Sequence, residues 1–118
     1  MKSKEYIKGT IKTIVLKLLA ENERMYGYEI SQRVKQLSGG DIELTYGALY
    51  PILYKLENEK LLITTSEIVD NRARKYYALT PQGKKLAKVK VSELQKFTET
   101  LSTILRPVSP STNLMLGI

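Results

Sequence analysis

The sequence contains no cysteine, no histidine and no tryptophan among its 118 residues. Without cysteine it can form neither a disulfide framework nor a thiolate metal site. Without histidine it lacks the commonest general base and the commonest metal ligand. No recognisable pair of catalytic carboxylates takes their place. The sequence therefore predicts a protein that is not an enzyme and that uses no metal or cofactor.

Long apolar runs are also missing from the chain. No stretch of about 18 apolar residues is present, so no transmembrane helix and no membrane partner is expected. Lysines interrupt the N-terminal segment on both sides of Ile14, Val15 and Leu16, and this excludes the core of a signal peptide. A cytoplasmic location is the expectation. The length fits one domain with room for an appended element.

The positive charge is concentrated in one part of the chain. The sequence has 19 Lys and Arg against 12 Asp and Glu, a net charge of +7. The whole excess lies between Asn71 and Ser92, where seven residues are basic and none is acidic, while the rest of the chain is balanced. Clustered positive charge is typical of a surface that binds nucleic acid.

Helical periodicity marks three short helices in the first half of the chain. From Ile11 to Leu19 the apolar residues follow the i, i+3, i+4 spacing of an amphipathic helix, and a second helix stops at Gly39-Gly40. Thr45 is the predicted N-cap of a third helix. The core-facing residues of that helix are Leu49, Ile52, Leu53 and Leu56. Between the second and third helices, the alternating stretch Asp41–Leu44 predicts one small strand.

The second half of the chain reads as a hairpin and a long helix. Two β-rich runs flank the turn dipeptide Asp70-Asn71 and predict a β-hairpin. Thr80 followed by Pro81 is a strong helix start, and that helix should run to about Leu105. The predicted fold class is mainly α with a small β-hairpin: a winged helix-turn-helix (α-α-β-α-β-β) plus a C-terminal helix.

The third helix has an outer face suited to nucleic acid. Opposite its core-facing residues lie Gly47, Pro51, Tyr54 and Asn58, flanked by Tyr50 and Lys55. This face has no acidic residue, its polar groups suit phosphates and base edges, and glycine permits a close backbone approach. Thr45 adds a hydroxyl and free backbone N–H groups at the helix start. The alternative is that the tyrosines pack on neighbouring helices.

The hairpin tip carries paired basic residues. Arg72 and Arg74 are two residues apart and so point to the same side of a strand, with Lys75 following. In a winged helix this tip is the wing, which lies along the DNA backbone or enters the minor groove. The alternative is an edge strand protected from aggregation by its charges.

The last helix carries an apolar seam. Leu94, Phe97, Leu101 and Ile104 step by 3, 4 and 3 residues, which is a heptad pattern. The seam either folds back on its own domain or binds a second copy, and we favour a homodimer whose two-fold axis matches a palindromic site. The predicted units are a winged-helix DNA-binding domain (1–80), a dimerisation helix (81–105) and a Pro/Ser-containing tail (106–118).

Three blocks of sequence resemble the PadR (phenolic acid decarboxylase regulator) family. They are YGYEI (Tyr26–Ile30), TYGALYPILYKLENEKLLI (Thr45–Ile63) and RKYYALTPQG (Arg74–Gly83). The resemblance implies a homodimeric winged-helix transcription factor of the subgroup with a small C-terminal helix, usually a repressor released by a small effector or stress signal. The matched DNA-contacting positions are Thr45, Gly47, Tyr50, Pro51 and Tyr54 on the helix, and Arg72, Arg74 and Lys75 on the wing. Tyr28 matches a family position with a structural or phosphate-contacting role.

Two features depart from the family pattern. Lys60 stands where glycine commonly follows the third helix, so either Lys60 adopts a left-handed conformation or the turn differs. Members that bind flat aromatic compounds at the dimer interface use a tryptophan, which this chain lacks.

Two functional hypotheses follow from these observations. The favoured one is a sequence-specific DNA-binding regulator, a homodimeric repressor whose partners are double-stranded DNA and a second copy, with any small-molecule effector unidentified. The alternative is a winged-helix module for protein–protein contacts without specific DNA binding.

Overall fold

The computed structural model describes residues 4–108 of the chain. Its helices are α1 (Lys4–Ile7), α2 (Ile11–Glu21), α3 (Gly27–Leu37), α4 (Tyr46–Asn58) and α5 (Pro81–Leu105), and its strands are β1 (Met25–Tyr26), β2 (Leu62–Val69) and β3 (Arg72–Leu79). The predicted class, a winged helix-turn-helix with a C-terminal helix, is confirmed. The predicted tail lies almost entirely outside the described residues.

One hydrophobic core joins the helices to the base of the sheet. Helix α2 contributes five buried residues and packs against α5, β3 and α4, while α3 packs against α4. The fully buried residues with the largest side chains are Tyr77, Leu16, Leu18, Ile30, Leu49, Leu53, Leu56 and Val15. Three of the four core-facing residues predicted for α4 are buried, and Ile52 is half-buried at the edge of the core. Apolar burial on this scale holds the three helices in a fixed arrangement.

The sheet has three antiparallel strands in the order β1-β3-β2. The hairpin prediction is confirmed, since β2 and β3 pair from Leu62 with Leu79 to Val69 with Arg72. Its turn residues Asp70 and Asn71 have φ of 51° and 62°, the left-handed conformation that two-residue hairpin loops require and that Asp and Asn tolerate.

The small strand was predicted in the wrong place. Asp41–Leu44 forms no strand; Ser38 Oγ accepts a hydrogen bond of 2.9 Å from the backbone N–H of Ile42, and Leu44 is buried in the core. Instead Met25 and Tyr26 pair with Tyr77 and Tyr76. Residues 25–26 lie beside the free edge of β3. A segment forms a strand when it can pair with such an edge, and an alternating sequence alone is not enough.

Helix α4 ends in a turn that places a lysine in an unfavourable conformation. Lys60 has φ of 64°, so the first of the two alternatives stated for it is confirmed. The backbone N–H groups of Lys60 and Leu61 donate to the carbonyls of Glu57 and Leu56, at 3.0 Å and 2.9 Å. These two bonds define a Schellman motif, in which the left-handed residue is usually glycine.

Replacing Lys60 by glycine is expected to stabilise the protein. The left-handed conformation costs a residue with a Cβ atom about 1–2 kcal/mol. Glycine avoids this cost, but it makes the unfolded chain more flexible, and this offsets part of the gain in stability. We expect Lys60→Gly to raise the free energy of unfolding by about 0.5–1 kcal/mol in urea titrations. A loss of stability would show that the Lys60 side chain contributes more than its backbone costs.

Helix α5 belongs to the core only at its beginning. Its N-cap Thr80 and its end at Leu105 confirm the predicted helix, whose first turns bury Gly83 and Ala87. Beyond Leu94 every described side chain of the helix is exposed, so its C-terminal half projects from the domain. Among residues 4–108, none of the helices is long and apolar enough to cross a bilayer.

Candidate nucleic-acid interface

The outer face of α4 is open to solvent. Thr45, Gly47, Pro51, Tyr54, Lys55 and Asn58 are all exposed. Thr45 caps the helix, since its Oγ1 accepts from the backbone N–H of Ala48 at 3.2 Å. The first turn carries no acidic residue, and the basic Lys55 lies in the last turn. An exposed helix start without acidic side chains leaves its N–H groups available to an anion.

Three tyrosines form a continuous stripe along one side of α4. The ring centroids of Tyr46 and Tyr50 are 5.4 Å apart, and those of Tyr50 and Tyr54 are 6.1 Å apart. Tyr46 and Tyr54 are about half exposed, and Tyr50 lies deeper. Tyr46 was missed as a candidate residue, although the i, i+4, i+8 spacing of the three tyrosines could have revealed it.

Tyr50 is held against the start of α3. A Cβ atom added at Gly27 would overlap the Tyr50 hydroxyl, so glycine at this position allows the two helices to meet. Burial and the neighbouring tyrosines raise the pKa of Tyr50. The alternative stated for the tyrosines, packing on a neighbouring helix, therefore describes Tyr50, while Tyr54 projects into solvent.

A cleft of about 600 Å³ lies between the start of α3 and the hairpin. The start of α3 forms one wall, including Tyr28, which is 51% exposed. The hairpin forms the other wall, with residues from Val69 to Lys75, and Tyr50 of α4 also lines the cleft. Basic and tyrosine side chains thus surround a groove next to the exposed helix face.

The predicted wing residues point to different surroundings. Arg72 is exposed beside the turn. Arg74 is half-buried, with its guanidinium carbon 4.1 Å from the centroid of the Tyr26 ring. A hydrogen bond from this guanidinium to the Tyr76 side chain raises the pKa of Arg74. The two arginines therefore share a face of β3 but differ in how freely they can reach a ligand.

Lys75 lies on the other side of β3 and faces α4. Its Nζ is 3.2 Å from Glu57 Oε1 and 5.5 Å from the Tyr54 ring centroid. The second carboxylate oxygen of Glu57 accepts a hydrogen bond of 3.1 Å from Thr64 Oγ1. Tyr77 lies buried beneath Lys75, and burial raises its pKa to about 12. Glu57, absent from the predicted site, thus connects α4 to both strands of the hairpin.

The predicted dimer seam is exposed for most of its length. Phe97, Leu101 and Ile104 are 58%, 39% and 71% exposed, and Leu94 is half-buried. Leu94 also lines an apolar groove of about 450 Å³ between α2, the end of α3 and α5. The groove is continuous with the seam, so one apolar surface runs from the domain to the end of α5.

An exposed helix, the second of a helix-turn-helix pair, beside a basic β-hairpin defines the winged helix-turn-helix class of DNA-binding proteins. The model of the PadR-like transcriptional regulator family matches residues 15–89. This chain belongs to that family, whose members are transcriptional regulators and not enzymes.

Relatives of known sequence and structure agree with this assignment. The chain is 33% identical to transcriptional regulator Rv3488 of Mycobacterium tuberculosis, over 69% of this chain and 72% of the relative. A transcriptional regulator from Clostridium thermocellum superposes with a TM-score of 0.77 at 27% identity, over 86% of this chain and 99% of that one. A PadR family regulator from Clostridium difficile has a TM-score of 0.69 at 26% identity, over 83% of this chain and all (100%) of that one.

Proposed function

We propose that this protein is a cytoplasmic, homodimeric repressor that binds a palindromic operator in double-stranded DNA. The observation that supports this most directly is the exposed, acid-free face of α4 next to the basic hairpin, beside a cleft lined by the start of α3, the hairpin and Tyr50. In this arrangement α4 enters the major groove and the hairpin lies on the adjacent backbone. The predicted domain boundaries, with a DNA-binding unit before residue 81 and a dimerisation helix after it, are part of the same proposal.

On α4, some residues can fix the position of the protein on the DNA backbone, and others can determine which base sequence it binds. Tyr54, Asn58 and Lys55 are exposed and carry groups that can hydrogen-bond to base edges or phosphates. Thr45 lies at the start of α4, where backbone N–H groups are available to phosphates, and the exposed Tyr28 lies in the first turn of α3. Pro51 and Gly47 present little side chain, so the helix backbone can approach the DNA at that level.

Gly47 supports DNA binding because the fold does not require it. Apart from its chain neighbours and the adjacent backbone of α4, a Cβ atom at Gly47 would meet no atom of residues 4–108 within 4 Å. Glycine costs a helix about 0.8–1 kcal/mol relative to alanine. Gly47 therefore lowers helix stability at a position where the domain has space for a larger residue. The close approach of a ligand to the backbone explains why glycine is present there.

The proposed dimer follows from the apolar surface on α5. A monomer would leave Phe97, Leu101 and Ile104 in water along a helix that projects from the domain. A second copy related by a two-fold axis covers this seam and the adjoining groove at once, because each copy contributes both surfaces. Two recognition helices held in this way address the two halves of a palindrome.

Salt titration of DNA binding tests the proposed function. The affinity of the full-length protein for its own upstream DNA should fall linearly on a plot of log K against log salt, because phosphate contacts release counterions. Random DNA of equal length is the control and should bind more weakly. A response independent of salt, or equal affinity for both DNAs, would instead favour the protein–protein module.

Gly47→Ala is expected to weaken DNA binding while preserving the fold. The added methyl group would lie on the proposed DNA-binding face and contact no other part of the domain. The free energy of unfolding should therefore stay equal or rise by up to about 1 kcal/mol. Operator affinity should fall, measured by fluorescence anisotropy. Gly9→Ala is the matched control, since a Cβ there also meets no atom of the described residues within 4 Å beyond its chain neighbours. Unchanged affinity for Gly47→Ala would place the DNA away from the first turn of α4.

A further inference from the structure

The outer part of the hairpin stands apart from the core. Strand β1 pairs with β3 only at Tyr77 and Tyr76, so within the described chain the third strand stops there. Beyond this level the distal hairpin, Ser66–Lys75, consists of two strands alone, and none of its residues is buried. A two-stranded hairpin without a hydrophobic face is marginally stable in water, so other contacts must hold its orientation.

Side chains near β1 tie both strands of the distal hairpin to the domain. Arg24 forms an ion pair of 2.7 Å with Glu67 on β2. The guanidinium carbon of Arg24 also lies 4.0 Å from the Tyr76 ring centroid. On the neighbouring strand, Arg74 lies over the Tyr26 ring. Each arginine therefore stacks on a tyrosine of the other segment.

The two stacks form one interleaved cluster. Tyr26 and Tyr76 are direct partners in the register of β1 and β3, and their rings meet edge to face at 5.5 Å and 79°. Arg74 and Glu67 are likewise direct partners in the register of β2 and β3. The cluster therefore spans all three strands at the level where β1 ends, which is the base of the distal hairpin.

The cluster also reaches the start of α3. The backbone N–H of Tyr26, the residue that precedes α3, donates to Glu29 Oε1 at 3.3 Å. A change in the tilt of the hairpin would therefore have to break contacts that join it to the helix-turn-helix unit. Stacks of arginine on tyrosine contribute about 0.5–1 kcal/mol each at exposed sites, which is enough to bias the orientation of a hairpin.

We propose that Arg24, Tyr26, Arg74 and Tyr76 are positioning residues that set the angle of the distal hairpin against α3 and α4. On this proposal Arg72 is the arginine of the wing that contacts phosphate, and Arg74 acts on DNA affinity through hairpin orientation. Arg24 acts in the same way, although it precedes the sheet and lies outside the hairpin. The role rests on the proposed function, because DNA is the ligand toward which the hairpin is oriented.

Substitution of the two wing arginines by lysine separates charge from stacking. Arg72→Lys keeps the charge at an exposed site and should bind operator DNA within about twofold of the wild type. Arg74→Lys keeps the charge but loses the planar stack on Tyr26. We expect it to weaken operator binding about three- to tenfold, the equivalent of one or two such stacks. Wild-type affinity for Arg74→Lys would overturn the proposal.

The salt dependence of alanine variants gives a readout that a general loss of stability does not change. Arg72→Ala should reduce the slope of log K against log salt by about one, as loss of a phosphate contact requires. Arg74→Ala and Arg24→Ala should lower affinity with the slope unchanged. Lys96→Ala, which removes an exposed charge from the projecting half of α5, is the control. A shallower slope for Arg74→Ala would make Arg74 a phosphate contact and contradict the assignment.

NMR of the unbound protein tests the cluster independently of DNA. Protons of the Arg24 and Arg74 side chains should be shifted upfield by the tyrosine rings. Tyr76→Leu should abolish the shift for Arg24, and Tyr26→Leu the shift for Arg74. Unshifted resonances in the wild type would refute the cluster itself. Shifted resonances in a protein that binds no DNA would refute the proposed function, and with it this role in DNA binding.

Discussion

Gly83→Ala is expected to lower the free energy of unfolding by about 2–3 kcal/mol, the upper range for overpacking a core position. A Cβ atom at Gly83 would overlap the backbone carbonyl oxygen of Leu61 and come within 3.1 Å of a Leu79 methyl carbon. The carbonyl belongs to the main chain and cannot rotate away, so α5 would have to move from the start of β2. Urea unfolding at equilibrium measures the loss.

The site around Gly83 explains why this shift is costly. The carbonyl of Leu61 accepts a hydrogen bond of 3.0 Å from the backbone N–H of Thr80. The Thr80 hydroxyl donates to the Lys60 carbonyl at 2.8 Å and accepts from the Gly83 N–H at 3.1 Å. Moving α5 would disrupt these hydrogen bonds at the same time. Gly9→Ala, made in open space, is the control and should change stability little; a similar small effect for Gly83→Ala would show that the junction adapts.

Leu101→Asp is expected to convert the proposed dimer to monomers. Leu101 lies at the centre of the exposed seam, and an isolated carboxylate buried there would cost several kcal/mol. Sedimentation should show a single species at the mass of one 13.4 kDa chain. Operator affinity should fall by at least about tenfold, because each monomer then holds only one half-site.

The matched control for this experiment lies on the same turn of α5. Thr103 is exposed and about 160–180° around the helix from Leu101 and Leu94, so Thr103→Asp adds the same charge away from the seam. It should remain dimeric and bind DNA as the wild type does. Dimers of Leu101→Asp would place the interface elsewhere on the chain. Monomers of both variants would mean that added charge on α5, and not the seam, controls assembly.

The sequence was sufficient for the helix caps and the hairpin turn. Thr45 and Thr80 cap helices as predicted, with Oγ1 atoms that accept from the third following N–H. Asp70-Asn71 forms the predicted turn, and Lys60 adopts a left-handed conformation. Capping residues, turn dipeptides and apolar periodicity act over a few residues, so they can be recognised without knowledge of the rest of the chain.

The sequence was insufficient for contacts between distant segments. The small strand was predicted at Asp41–Leu44 and occurs at Met25–Tyr26, because pairing depends on which segment reaches the edge of β3. Glu57 and Arg24 could not be recognised as partners of the hairpin for the same reason. The partner of Glu57 is 18 positions away in the sequence, and the partner of Arg24 is 43 positions away. From the sequence alone, both charges look like ordinary surface charges.

By itself the sequence determined the class of fold, the acid-free outer face of α4, and the position of the charge excess. These depend on periodicity, composition and local hydrogen bonding, which each segment carries independently. Only the tertiary structure decided that Arg72 is exposed while Arg74 stacks on Tyr26, and that Lys75 faces Glu57 on α4. A side chain's partner depends on strand register and helix orientation, and these are set when the core buries its apolar residues together.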